Sequence, residues 1–361
     1  MENKNNYVAI MAGGIGSRFW PVSRTQYPKQ FIDLLGTGKS LIQWTYNRFK
    51  NICPQENIYL ITNQAYMATL KQQIPEIKDE NIISEPSRKN TAPCAAYFAH
   101  KIMALNPDAN IIMSPADHLI MDEAAFERTT QDALNFVATH NALLTLGIKP
   151  TRPDTGYGYI QYDTEHELDK VYKVKTFTEK PSLELARTFL KSGDFLWNSG
   201  IFVWNVKTIY NAIEKHLPEM HEVFGQAKNA YNTATEHDMI NSLYPQCTNI
   251  SIDYGIMEKA KNVYVIPSYF GWSDLGTWES AYENSEKDYL GNAVYGDNVM
   301  VIDATECMIK APNDKLVVLQ GLEKFIVVDT PDVLLICERT REQQIKEYVA
   351  EVKRNKGEKF L

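Results

Sequence analysis

The chain has 361 residues, of which 44% are apolar and 23% charged. That balance belongs to a folded globular protein of two or three domains' length, not to a disordered one. Acids outnumber bases 45 to 37, for a formal charge of −8, so a nucleic-acid-coating surface, and with it a nucleic-acid partner, is not expected.

The chain starts with a polar stretch, Met1 to Tyr7, and the apolar run that follows is too short for a signal peptide. No run approaches the roughly 20 apolar residues of a membrane span. A cytoplasmic protein without a membrane partner is the expectation. Cys53, Cys94, Cys247, Cys307 and Cys337 are odd in number, scattered, and form no CxxC pair. They are expected to be reduced, buried thiols, not a disulfide framework or a zinc site.

Tyr7–Ala12, Asn57–Thr62, Asn110–Ser114 and Ala142–Ile148 are short runs rich in Val, Ile and Leu, and predict buried strands. Leu41–Lys50, Ala92–Leu105 and Glu123–Thr139 predict helices between them, with Ser40 and Gln43 as a capping box for the first. Alternating strands and helices predict an α/β fold. Its core is a Rossmann-like, mostly parallel mixed sheet with helices on both faces. In such sheets ligands lie beyond the carboxyl ends of the strands, so the residues after each strand are the ones to inspect.

From Asp154 to Asp274 the texture is mixed. Val171–Phe177, Gly200–Trp204 and Val263–Ile266 predict strands and Ser182–Lys191 a helix, extending the same sheet with an antiparallel element. After about Asn292, Val299–Asp303, Leu316–Gln320, Phe325–Asp329 and Val333–Cys337 predict short strands with no helix between them. Arg341–Arg354 then predicts a helix with Ile345, Tyr348, Val349 and Val352 on one face. The expected division is a catalytic domain over 1–290 and a small C-terminal β unit, closed by a helix, over 291–361.

The first strand runs into Gly13-Gly14-Ile15-Gly16-Ser17-Arg18. Glycines there let backbone N–H groups approach a phosphate. Arg18, Arg24 and Lys29 follow closely, and no acid occurs between Asn3 and Ile32. A cationic field beside a glycine turn suits a polyanion such as a triphosphate. Two other phosphate motifs fail. A dinucleotide GxGxxG needs glycine where Phe19 stands, which disfavours an NAD-dependent oxidoreductase. A P-loop ending at Gly38-Lys39-Ser40 needs glycine where Asp33 stands. Gly36–Ser40 therefore reads as a turn and helix cap.

The run Ala12-Gly13-Gly14-Ile15-Gly16-Ser17-Arg18-Phe19-Trp20-Pro21-Val22-Ser23-Arg24, followed by Pro28-Lys29-Gln30-Phe31, resembles the activation loop of sugar-1-phosphate nucleotidylyltransferases. Its Trp-Pro, Ser-Arg and Pro-Lys-Gln-Phe elements resemble those of mannose-1-phosphate guanylyltransferases. Phe19 and Val22 stand where that family usually has leucines. Further segments match in order: Gly156-Tyr157-Gly158-Tyr159-Ile160, Glu179-Lys180-Pro181, the turn Trp197-Asn198-Ser199-Gly200, and Ser251-Ile252-Asp253-Tyr254-Gly255-Ile256-Met257-Glu258-Lys259. The resemblance covers about residues 7–290, and the short tail is typical of stand-alone guanylyltransferases. Some relatives carry an isomerase domain after it, for which a chain ending at Leu361 is too short, so no isomerase activity is expected.

The resemblance implies transfer of GMP from GTP to mannose 1-phosphate, giving GDP-mannose and pyrophosphate. A strand ends in Asp117, and Asp274 lies between glycines and tryptophans. Mg²⁺ takes a few carboxylates with waters and substrate phosphates, so two acids from separate segments are the minimum expected. The resemblance places the metal on Asp117 and Asp274. His118 reads as a hydrogen-bonded structural residue, because an oxygen-seeking ion does not favour imidazole. Ala12, Gly13, Gly14, Gly16, Arg18, Lys29, Glu85, Asn90, Thr91 and Asp117 are the candidate nucleotide contacts. Asn90 or Glu85 is the candidate reader of guanine's donors, though guanine itself rests on resemblance alone. Gly158, Glu179, Lys180 and Asn198 are the candidates for the sugar phosphate, and Arg18, Lys29 and Lys180 for catalysis by charge.

The attacking phosphate oxygen is already ionised at neutral pH, so no general base is needed; position and electrostatics carry the rate. Transfer to another sugar 1-phosphate or from another NTP is an alternative in the same class. A non-catalytic sugar-nucleotide-binding regulator is an alternative in another. The resemblance also suggests a homodimer formed through the β tail.

Overall fold

Residue alternation along the first strand decides the architecture. In β1 (Asn6–Met11) Tyr7 and Ala9 project to one face, and Val8 and Ile10 to the other, all of them buried. A strand apolar on both sides must be covered on both sides, which is the environment of a parallel sheet between helical layers. The computed structural model describes residues 4–14 and 16–361. Met1–Asn3 of the polar start and Ile15 of the glycine run lie outside them.

β2 (Ile58–Asn63), β3 (Ile82–Glu85) and β4 (Asn110–Pro115) flank β1, and these four pair in parallel. β5 (Leu119–Ile120) stands outside the sheet. β6 (Leu143–Ile148), β7 (Tyr159–Leu168), β8 (Val171–Thr178), β9 (Phe195–Asn205) and β10 (Val263–Ser268) complete nine strands in the order β3-β2-β1-β4-β9-β6-β10-β8-β7. β9 runs antiparallel between β4 and β6, so the sheet is mixed, as expected. One face packs against α1 (Leu41–Phe49), α2 (Met67–Gln73) and α4 (Glu123–Thr139), whose Tyr46, Leu70 and Leu134 meet Val8 and Ile10 in one core. The other carries α3 (Thr91–Leu105), α6 (Val206–His216), α7 (Pro218–Gly225) and α8 (Glu236–Leu243). α5 (Leu183–Ser192) caps the β7–β9 end.

The Ser40–Gln43 capping box forms. Three sequence expectations are corrected. Asn198, Ser199 and Gly200 are not a turn but lie inside β9, where β6 and β7 supply partners on both sides. The last helix, α10 (Ile345–Lys356), starts later than predicted. Arg339–Gln344 forms a 3₁₀ turn, held by Glu342 Oε2, which accepts from the Glu279 N–H at 2.6 Å. Helices α6 to α8 were not predicted, although Val206, Ile209, Ala212 and Ile213 have helical spacing and are buried.

β11 (Trp272–Ser273) pairs with β5, and α9 (Trp278–Glu283) leads out of the main sheet. The tail strands β12 (Ala293–Tyr295), β13 (Val299–Ile302), β14 (Met308–Lys310), β15 (Val317–Gln320), β16 (Phe325–Asp329) and β17 (Leu334–Glu338) form two small sheets of their own. All of their pairings are parallel except β16–β17. This unit is packed onto the basic loop. Phe19, Trp20, Leu275 and Trp278 share one apolar cluster with Met308, Ile326, Leu335 and Ile345. Phe19 meets Trp278 edge-on with ring centres 5.1 Å apart. Burying rings of this size contributes about 2–3 kcal/mol each. All five cysteines are buried, and none is in a disulfide.

Candidate active site

The glycine run leaves β1 at the carboxyl end of the sheet, between the ends of β2 and β4. Ala12 is fixed there on both sides: its N–H donates to Ile61 O, and its carbonyl accepts from Gln30 Nε2 and Thr62 Oγ1. Gly16 has φ 67° and packs so closely on Lys29 that a Cβ would overlap that side chain. Both the backbone sign and the contact require glycine.

Lys29 is buried and turned inward. Its Nζ lies 2.9 Å from Asp117 Oδ2 and donates to the carbonyls of Asp274 at 2.8 Å and Leu275 at 3.0 Å. Residues 157 positions apart are thus brought to one ammonium. Asp274 is aimed by Tyr157, whose hydroxyl donates to Oδ1 at 2.8 Å, and by the Gly276 N–H at 2.9 Å. Burial pushes the Asp117 carboxyl up, but the Lys29 ammonium, followed by His118, outweighs it and holds the group below the usual range. His118 is hydrogen-bonded beside the acids. Its Nδ1 accepts from Trp272 Nε1 at 3.2 Å, burial lowers its pKa against the pull of Asp117 and Asp274, and its Nε2 is 4.0 Å from Asp117. The carboxylates of Asp117 and Asp274 are oxygen donors of the kind a hard divalent ion takes, and Asp117 already pairs with a cation.

A cavity of about 350 Å³ opens beside this cluster, lined by Ala12, Gly13, Gly14, Glu85, Asn90, Thr91 and Asp117 among others. Asn90 (φ 68°) caps α3 through its side chain, and Thr91 Oγ1 accepts from the Ile252 N–H at 2.9 Å. Glu85 faces Gly13 with one oxygen and accepts from the Tyr244 hydroxyl with the other. Burial raises its pKa to about 7, despite the hydrogen bonds from Tyr244 and Cys94. A larger cavity, about 680 Å³, lies away from the glycine run, over Tyr97, Lys101 and Glu236.

The sugar-side candidates also come together. Asn198 N–H donates to Gly158 O at 2.8 Å, and a Cβ on Gly158 would collide with Glu179 Oε2. Lys180 (φ 49°) pairs with Glu179 at 2.8 Å and is exposed. Asn198 Nδ2 donates to Asp253 Oδ1 at 2.9 Å. Burial, then Glu179, raises the Asp253 carboxyl to about 6. Tyr157 meets Trp197 and Trp272 edge-on at 4.9 and 5.3 Å, forming an aromatic wall.

Arg18 is partly buried on the 3₁₀ turn Ser17–Phe19. Arg24 leaves the expected cationic field: its guanidinium is bound to both oxygens of Asp332 in the tail. The sequence reading did not single out Tyr157, Asp253 or Tyr244. Tyr157 and Asp253 lay within quoted segments, so the signal was present, but nothing local showed what they face.

Residues 7–290 match the model of the family described as nucleotidyl transferase, and residues 297–352 that of the MannoseP isomerase/GMP-like beta-helix domain. The chain is 38% identical over 354 residues to the mannose-1-phosphate guanylyltransferase of Salmonella montevideo, covering 95% of this chain and 73% of that protein. A crystal structure named mannose-1-phosphate geranyltransferase, from Thermus thermophilus, superposes with a TM-score of 0.87 at 28% identity, over 97% of this chain and 99% of that one. One named mannose-6-phosphate isomerase, from Helicobacter pylori, superposes with a TM-score of 0.60 at 26% identity, over 74% and 99%.

Proposed function

This chain belongs to the nucleotidyl transferase family, and on that footing we propose that it transfers GMP from GTP to mannose 1-phosphate, releasing pyrophosphate. The observation that carries this reading is the convergence of Lys29, Asp117 and Asp274 beside the glycine run, in a chain 38% identical to a guanylyltransferase along nearly its whole length. Release of pyrophosphate from GTP and mannose 1-phosphate, followed by a coupled assay, tests it. No release with this pair, but release with another NTP or sugar phosphate, replaces the substrates. Binding of GDP-mannose without any turnover replaces the enzyme with a regulator. Mannose 6-phosphate is assayed alongside for isomerisation, because a structure of that name shares the fold.

In this reading an oxygen of the sugar phosphate attacks the α-phosphorus of GTP in line. The new P–O bond forms as the α–β bridging bond breaks, and pyrophosphate leaves with the electron pair. Backbone N–H groups of Gly13 and Gly14 cradle phosphate oxygens, and Arg18 and Lys29 offset the leaving charge. Lys180 holds the attacking phosphate, while Glu179, Asp253 and Asn198 accept from or donate to the sugar hydroxyls. Asp117 and Asp274 would hold Mg²⁺, which when bound neutralises phosphate charge. The division of the chain follows the same reading: 1–290 as the catalytic unit and 291–361 as the attached β unit.

Glu85 is assigned to guanine's N1–H and 2-amino donors, with Asn90 beside it. A carboxylate accepts both, and a carboxylic acid does not. With a pKa of about 7, the ionised fraction falls as pH drops. The KM for GTP is therefore expected to rise about tenfold between pH 8 and pH 6. Glu85→Gln should flatten that dependence and weaken discrimination against ATP. A wild-type KM that is level across this range removes the assignment. The stability sign is opposite: the folded state keeps the proton between the ordinary carboxylate pKa and about 7, so stability declines with rising pH across that window.

A homodimer through the tail is supported by exposed apolar side chains on β13 and β15. Met300 and Val318 are register partners, each about half exposed, with Ile302 and Leu316 beside them. Light scattering is expected to give twice the chain mass, and Met300→Glu with Val318→Lys to give a monomer. A monomeric parent chain contradicts the assignment.

A further inference from the structure

The tail grips the basic loop at three points. Ile345 in the first turn of α10 is fully buried against the cluster of Phe19 and Trp20. Trp20 Nε1 donates to Phe360 O at 2.7 Å. Arg24 is bound by Asp332 and Thr330. These contacts pack α10 against the 3₁₀ turn that carries Arg18, and Lys346 directly follows the buried Ile345. Lys346 is exposed, and the Arg18 charge is the main influence lowering its pKa, ahead of burial. Two cations held together repel unless an anion lies with them.

Among the described residues neither cation has a carboxylate within ion-pair distance. Among the same residues Arg18 Nε, which is buried, has no hydrogen-bond partner. The neighbouring basic groups are already engaged: Arg24 by Asp332, and Lys29 by Asp117 and two carbonyls. Phe19, next to Arg18 in sequence, has its ring centre 5.8 Å from Lys29 Nζ, so the 3₁₀ turn that carries Arg18 borders the acid cluster. A buried donor lacking an acceptor and an adjacent exposed ammonium form half of an anion site whose other half arrives with the ligand.

We propose that Lys346, supplied by the C-terminal helix, joins Arg18 in binding the β- and γ-phosphates of the nucleoside triphosphate and the pyrophosphate released from them. The proposal rests on the function given above and assigns the tail a direct part in substrate binding. A pyrophosphate group carries enough charge to satisfy two cations, whereas the sugar phosphate is assigned to Lys180 at the other side of the cleft.

The test uses the full chain, with calorimetric titration of inorganic pyrophosphate in the presence of Mg²⁺ and separate KM values for GTP and mannose 1-phosphate. Lys346→Ala is expected to weaken pyrophosphate binding and raise the KM for GTP about tenfold. Lys346→Glu should do so more strongly, and Lys346→Arg should restore both. The KM for mannose 1-phosphate should stay within about twofold. Because the side chain is exposed, the melting temperature should not move, which separates loss of binding from loss of fold. Wild-type protein that binds pyrophosphate while Lys346→Glu binds it equally well overturns the inference and leaves the function standing. A KM change confined to mannose 1-phosphate also overturns it. Wild-type protein that neither binds pyrophosphate nor turns over GTP overturns the function itself.

Discussion

Asp117→Asn is expected to lower turnover by about 10²–10³-fold, equivalent to about 3–4 kcal/mol of transition-state stabilisation. The substitution keeps shape and volume, and removes one negative charge from the only side-chain oxygen that Lys29 Nζ approaches at 2.9 Å, among the described residues. Two consequences compound. Half of the carboxylate pair expected to attract a divalent ion is lost, and an amide oxygen is a much poorer ligand for it. Lys29 also loses its ion-pair partner and keeps only neutral acceptors, the new amide oxygen and two backbone carbonyls, so its charge is less firmly held. Folding should survive, because those carbonyls still accept from the ammonium and Asp117 itself is partly exposed. Pyrophosphate release measures the first effect and thermal unfolding the second. A near-normal rate in a folded Asp117→Asn protein would remove Asp117 from the site. In parallel, excess chelator should abolish the wild-type rate and added Mg²⁺ restore it.

Lys101→Met is expected to cost about 3 kcal/mol of stability, the lower end of the range for breaking a buried pair. Lys101 on α3 reaches Glu236 at the start of α8, with Nζ 2.6 Å from Oε2 and side chains only 8% and 10% exposed. Glu236 also accepts from the Tyr97 hydroxyl at 2.7 Å and the Asn232 N–H at 2.6 Å. Removing the lysine strands a carboxylate among groups that donate hydrogen bonds but carry no charge. The low end applies because the pair lines the larger open cavity, from which water can reach the carboxylate. Adding Glu236→Gln should return most of the loss, since the amide oxygen still accepts from Tyr97 and no charge is left unpaired. Urea unfolding of the two variants checks this; a loss below about 1 kcal/mol would class the pair as a surface one. The KM values should hold below the melting transition, because neither residue touches the glycine run or the sugar cluster.

In the parallel part of the sheet β1, β2 and β4 were readable because they are apolar on both faces, whereas the helix α2 was not predicted. Asp117 was readable because it follows a strand end, where such sheets place ligands. The expectation that Arg24 joins the cationic field failed because charge in sequence says nothing about which charge it meets; Asp332, 308 residues away, takes it. The turn expected at Asn198 failed for a related reason: glycine and asparagine favour turns locally, and two neighbouring strands overrode them.

By itself the sequence determined whatever consecutive residues decide: strand and helix periods, the Ser40 cap, the glycine at position 16, and the ordered motifs that carry the family resemblance. Only the tertiary structure decided which side chains share a pocket. Lys29 between Asp117 and the Asp274 carbonyl, Tyr157 on Asp274, Asp253 on Asn198, and Lys346 beside Arg18 are meetings of residues 55 to 328 positions apart. Backbone preference acts over a few residues, whereas those contacts exist because apolar burial folds distant segments onto one sheet end and leaves their polar tips facing each other.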